Sequence, residues 1–140
     1  MIKFIDLFAG LGGIRIGFTQ AATDLGLETN CVFTSEIKDS ALVALNHNFP
    51  GENIIKRDIT KVASADIPHF NILLGGFPCQ AFSFAGRQRG FLDTRGTLFF
   101  EIERIIKDHL NDVDGFLLEN VEGLLKHDKE NKEDEIGKTL

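Results

Sequence analysis

Phe4-Ile5-Asp6-Leu7-Phe8-Ala9-Gly10-Leu11-Gly12-Gly13 is the stretch whose reading decides the fold. Residues 3–8 form an apolar run that reads as a buried strand, and the glycines behind it open a helix over 13–25. Glycines between a strand and a helix let the backbone turn tightly and approach a ligand closely. The same alternation continues down the chain. Residues 31–36 read as a second strand, and 39–48 as a helix with Ala41, Leu42, Leu45 and Phe49 at helical spacing. A short strand near 54–57 ends at Asp58, and 71–75 form a fourth strand. Residues 80–96, with Gly86, Gly90 and Gly96, lack periodicity and read as a long loop. Residues 97–110 carry Leu98, Ile102, Ile105, Ile106 and Leu110 on one side of a helix, and 114–119 form a fifth strand. Strands alternating with helices predict an α/β fold, a doubly wound, mainly parallel sheet with right-handed crossovers.

Every predicted strand ends at residues able to do chemistry: Phe8-Ala9-Gly10, Glu36, Asp58, Pro78-Cys79 and Glu119-Asn120. That pattern is expected where several loops build one crevice at the carboxyl edge of an open sheet. Gly75-Gly76-Phe77-Pro78-Cys79-Gln80 is the most distinctive of these ends. A thiolate there is positioned to attack a substrate. Position alone leaves a second reading of Cys79 open, a small buried hydrophobe.

The glycine loop and Glu36 belong together. Glu36 follows 23 residues after Gly13, and an acid at that interval can accept the hydroxyls of a ribose. Two ligand classes fit, a dinucleotide such as NAD or S-adenosylmethionine. The dinucleotide pattern calls for glycine where this chain has Arg15, so the usual pyrophosphate seat at the helix start is not built. The balance therefore favours S-adenosylmethionine.

The length, 140 residues, suits one domain, and the hydrophobic content of 43% suffices for a core. No apolar run approaches the roughly 20 residues of a membrane span, and the acid in Met1-Ile2-Lys3-Phe4-Ile5-Asp6 argues for a first strand over a signal peptide. Two cysteines, Cys31 and Cys79, make no disulfide framework, so a cytoplasmic location with reduced thiols is expected. The net charge of −6 opposes phosphate binding by the chain as a whole. The charged run over 126–135 reads as solvated surface, while Arg87, Arg89 and Arg95 gather shortly after Cys79.

These residues in this order resemble the cytosine-C5 DNA methyltransferases, specifically the bacterial type II restriction–modification enzymes, almost from end to end. Residues 4–13 resemble the first family motif. Ser35-Glu36, Arg57-Asp58-Ile59-Thr60, Gly75-Gly76-Phe77-Pro78-Cys79-Gln80-Ala81-Phe82-Ser83, Arg95-Gly96-Thr97-Leu98-Phe99-Phe100 and Glu119-Asn120-Val121 resemble those that follow. The resemblance implies S-adenosylmethionine as methyl donor, S-adenosylhomocysteine as product, and no metal. It implies a cofactor pocket of Phe8, Gly10, Leu11, Gly13, Glu36, Ile37, Asp58, Ile59, Pro78 and Leu98. Within it Glu36 would hold the ribose, Asp58 and Ile59 would meet the adenine edge, and Phe8 and Ile37 would pack on the adenine. Family members often carry tryptophan where this chain has Ile37, a departure that weakens stacking and keeps the pocket.

It further implies Cys79 as nucleophile and Glu119 as its acid partner, protonated near neutral pH at a buried strand end. Gln80, Ser83, Arg87, Arg89 and Arg95 would contact double-stranded DNA. The family continues with a Gln-Arg-type motif, a target-recognition region and a last helix. Residues 1–140 contain none of these, and so read as the N-terminal part of the catalytic domain. Such a chain would need its C-terminal half, or a second subunit, for activity. Its incomplete sheet would favour self-association. Three alternatives stand beside active methylation of DNA: a cofactor-binding fragment without activity, an NAD-dependent oxidoreductase domain, and the RNA-methylating relatives.

Overall fold

The structure, a computed structural model, describes residues 1–52, 54–78 and 97–120. Among the described residues four strands form the sheet: β1 (Ile2–Leu7), β2 (Thr29–Ser35), β3 (Ile72–Gly75) and β4 (Gly115–Leu118). The helices are α1 (Gly13–Asp24), α2 (Asp39–Asn48) and α3 (Thr97–Asp108). The strand order is β2-β1-β3-β4 and every pairing is parallel. The chain leaves β1 toward β2 on one side and returns to place β3 on the other. Ligands of such sheets bind outside the carboxyl ends of the strands, where the direction of winding reverses. Here that point lies beyond Leu7 and Gly75, which pair with each other.

The two sheet faces are packed differently. Ile5 and Leu7 of β1, Phe33 of β2 and Leu73 of β3 bury into one core with Phe99, Ile102 and Ile105 of α3. Ile59, Ile67, Phe70 and Phe77 complete it. Full burial of each such side chain is worth roughly 1.5–3 kcal/mol, so this face holds the fold together. Phe4 points to the opposite face, where its ring meets Phe18 edge-on at 5.1 Å. The apolar stripe predicted for residues 97–110 is present with two changes. Phe99 joins it, tilted against Phe77 at 5.7 Å, and Leu110 lies beyond the helix end, 67% exposed.

The predicted strand at 54–57 does not form. Arg57 donates its backbone N–H to the Glu36 carbonyl at 2.9 Å, and Ser35 Oγ donates to the Arg57 carbonyl at 3.3 Å, but no ladder is made with β2. The chain turns instead into two short 3₁₀ turns, Ile59–Lys61 and Ser64–Asp66. Asp58 caps the first, its Oδ1 accepting from Thr60 N at 3.1 Å. A local side-chain cap thus diverts the backbone before pairing can propagate. No helix among the described residues is long and apolar enough to cross a membrane.

Candidate cofactor site

The carboxyl ends of β1, β2 and β3 meet at a cavity of about 620 Å³. Phe8, Gly10, Leu11, Glu36, Ile37, Asp58, Ile59, Pro78 and Leu98 all line it, as the sequence reading placed them. Gly13 does not; it opens α1 outside the lining. Ser35, Lys38, Ser40, Ala41 and Gly76 line the cavity as well. Ser35, Lys38 and Gly76 flank residues the sequence already singles out. Ser40 and Ala41 enter because α2 starts at the cavity rim, which their own chemistry does not signal.

Glu36 organises the site. It is buried, and its Oε2 accepts the Gly10 N–H at 2.8 Å. Its Oε1 accepts the N–H groups of Ile37 at 2.7 Å and Lys38 at 2.8 Å. A carboxylate offers about four acceptor positions, so the three backbone donors leave one, on Oε2, for a hydroxyl. Bonds from N–H to an ionised carboxylate are among the stronger protein hydrogen bonds. Glu36 therefore pins the glycine loop to the start of α2 while keeping an acceptor free.

The loop itself needs unusual backbone. Phe8 takes φ +56°, a left-handed conformation uncommon for a large side chain. Gly12 takes φ +83°, and a Cβ there would lie 2.5 Å from the ring of Phe49. Leu11 and Ile37 are 62% and 53% exposed at the cavity, an apolar surface suited to a ligand's ring. Asp58 accepts from the Thr60 hydroxyl at 2.7 Å, and that bond chiefly holds its carboxyl below the usual range. Ile59 touches the cavity but is otherwise sunk in the core.

Arg15 is not a phosphate ligand here. Its guanidinium is buried, stacks on the Phe49 ring at 3.8 Å and pairs with Glu52. Beneath the loop, Asp6 is wholly buried, and its Oδ2 has no hydrogen-bond partner among the described residues. Burial, partly offset by Arg15 and reinforced by Glu36, raises its carboxyl to about 7.

The root of the predicted catalytic loop is tied to the end of β4. Glu119 N donates to the Gly75 carbonyl at 2.9 Å, and Asn120 Nδ2 to the Phe77 carbonyl at 3.0 Å. Glu119 Oε2 lies 3.5 Å from the point where a Gly76 side chain would begin, which places the carboxylate beside the cavity. Glu119 is exposed in this arrangement, which corrects the buried strand end of the sequence reading. Phe116 and Leu117, on the last described strand of the sheet, leave that end of the molecule uncovered. Cys79, Gln80, Ser83, Arg87, Arg89 and Arg95 lie outside the described residues. The other cysteine, Cys31, contacts Phe33 O and Thr34 Oγ1, each at 3.5 Å, and burial pushes its thiol up, which suits a packing role.

The family model described as C-5 cytosine-specific DNA methylase matches residues 2–140. The chain is 57% identical over 139 residues to the type II methyltransferase M.NgoBV of Neisseria gonorrhoeae, covering 99% of this chain and 32% of that protein. It is 57% identical over 129 residues to M.HgiCI of Herpetosiphon aurantiacus, covering 92% of this chain and 29% of that one. Among solved structures it resembles a Spodoptera frugiperda DNMT2 mutant, with TM-score 0.71 and 28% identity over 94% of this chain and 39% of that one. The chain thus spans about a third of the length of the curated relatives it matches.

Proposed function

Because the chain belongs to the C-5 cytosine-specific DNA methylases, we propose that it is the cofactor-binding and nucleophile-bearing part of a DNA (cytosine-5-)-methyltransferase of a bacterial, cytoplasmic restriction–modification system. The observation that carries the cofactor assignment is the charge of the cavity. Glu36 and Asp58 supply two negative charges against one positive charge from Lys38, and Arg15 is turned away into its pair with Glu52. A diphosphate in that setting meets like charge. A ligand bearing a sulfonium and an ammonium meets opposite charge, while its ribose meets Glu36 and its adenine meets Leu11 and Ile37. S-adenosylmethionine, when bound, supplies a methyl group on a positively charged sulfur.

The chain's own residues prepare the acceptor. The Cys79 thiolate adds to carbon 6 of a cytosine swung out of the duplex, forming a carbon–sulfur bond. The displaced π-electron pair loads carbon 5, and Glu119 gives ring nitrogen 3 a proton to offset the charge. Carbon 5, so activated, would be the acceptor for the methyl group that a donor held by Glu36, Leu11 and Ile37 would supply. Loss of the carbon 5 proton to a base drives elimination, nitrogen 3 returns its proton to Glu119, and the pair of the carbon 6–sulfur bond returns to Cys79 as thiolate. The Asn120 bond to Phe77 would fix where Pro78 ends and Cys79 begins. Gln80, Ser83, Arg87, Arg89 and Arg95 would contact the DNA strand.

The coverage of about a third of each relative favours a second reading: the chain binds cofactor and turns over only with further chain or a partner subunit. Trapping on DNA containing 5-fluorocytosine, with the C-terminal part of such a relative supplied, tests the chemistry. A covalent adduct lost in Cys79→Ser supports it; an adduct that survives Cys79→Ser refutes the role of Cys79.

A further inference from the structure

Two walls of the cavity are not held by the sheet. Asp58 and Ile59 open the 3₁₀ turn that follows the unpaired segment 54–57, and Leu98 lies in the first turn of α3. One side chain joins them. Arg104, in the last half of α3, donates Nη2 to the Val62 carbonyl at 3.0 Å and to the Ile59 carbonyl at 3.4 Å. Its Nη1 donates to Ser64 Oγ at 2.6 Å, and Ser64 Oγ donates in turn to Asp108 Oδ2 at 2.5 Å. Glu101 Oε2 accepts from Arg104 Nε at 3.0 Å and Nη2 at 2.8 Å, which fixes the plane of the guanidinium. A fork of fixed donors aimed at two carbonyls and a hydroxyl is a geometry lysine cannot copy.

We infer that Arg104 is a positioning residue for the cofactor site, clamping the Asp58–Val62 turn onto α3 so that the Asp58–Ile59 wall and the Leu98 wall keep a fixed separation. Arg104 does not line the cavity itself. The inference rests on the cofactor reading of that cavity, but the clamp is a property of the fold. The carbonyls it holds belong to the first 3₁₀ turn and its cap, where the Ile59 carbonyl also accepts the Val62 N–H at 3.2 Å. Nothing else in the described structure gives Ile59 and Val62 carbonyls a charged donor.

Two readouts on this chain separate the clamp from the cofactor reading. The first is amide hydrogen exchange without ligand in wild type, Arg104→Met and Arg104→Lys, with Lys107→Met as control for loss of an exposed charge on α3. Faster exchange over residues 58–62 is expected in both Arg104 variants, with α1 unchanged and the Lys107→Met profile matching wild type. The second is calorimetric titration with S-adenosylhomocysteine. A Kd raised about tenfold is expected in Arg104→Met, with a smaller rise in Arg104→Lys. Should Arg104→Met not fold, Arg104→Lys decides. Wild-type exchange over 58–62 in a folded Arg104 variant, or a Kd within twofold of wild type, overturns the inference. Wild type that fails to bind S-adenosylhomocysteine while the exchange change is present overturns the cofactor reading and leaves the clamp standing.

Discussion

Replacing Asp6 by asparagine should remove a pH dependence built into the centre of the sheet. The carboxyl is wholly buried on β1 with one oxygen unpartnered among the described residues, and burial lifts it from its ordinary 3.8 to about 7. The folded chain therefore holds this proton more tightly than the unfolded chain. Stability from this group is complete below pH 4 and is lost as pH rises toward 7. Each unit of difference corresponds to about 1.36 kcal/mol, so roughly three units amount to about 4 kcal/mol between pH 4 and pH 8. That is a large share of a typical total of about 5–15 kcal/mol. The Asp6→Asn side chain keeps the shape of the carboxyl and never ionises. Urea unfolding midpoints of the two proteins across pH 4 to 9 give the difference curve, in which other titrating groups cancel. The variant should gain about 4 kcal/mol on wild type over that range, most of it between pH 4 and 7. Parallel curves, or a difference that grows toward acid, would refute the argument that burial dominates over the attraction of Arg15.

Other consequences are simpler to read. Gly12→Ala should cost about 2 kcal/mol or more in a thermal melt, because it adds a Cβ at positive φ against the Phe49 ring. Phe99→Ala should cost roughly 3–5 kcal/mol in urea, since Phe99 fills the core between α3 and Phe77. Glu36→Gln should weaken S-adenosylhomocysteine binding roughly ten- to hundredfold by calorimetry, through loss of a charged acceptor to the ribose and to the loop. Sedimentation should show association that grows with concentration, because Phe116 and Leu117 lie 44% and 49% exposed on β4; a strictly monomeric species at high concentration contradicts this.

Much of this is legible in the sequence because local and global signals agree. The apolar run at residues 3–8, the glycines behind it and the spacing to Glu36 are set by short-range geometry, and nine of ten proposed pocket residues line the cavity. The segment at 54–57 misleads because its composition suits a strand, while the Asp58 cap behind it turns the chain into a 3₁₀ turn. Arg104 is invisible to such a reading for a related reason. It sits on the polar side of a helix at the spacing of an ordinary Glu101–Arg104 pair, and its acceptors come from 40 to 45 residues earlier in the chain. The strand-end position of Glu119 suggests burial, but β4 is the last described strand of the sheet and leaves it open. Arg15, a cation in place of glycine at the helix start, packs on Phe49 and pairs with Glu52.

Calorimetric titration of this chain with S-adenosylhomocysteine, with NAD as the control, tests the central claim most directly. The ribose and adenine seats at Glu36, Leu11 and Ile37 predict saturable binding of S-adenosylhomocysteine, and the Glu36 and Asp58 carboxylates opposed to a diphosphate predict none of NAD. Binding of NAD in preference, or no binding of S-adenosylhomocysteine by a folded sample, would contradict the claim that residues 1–140 build a working cofactor site.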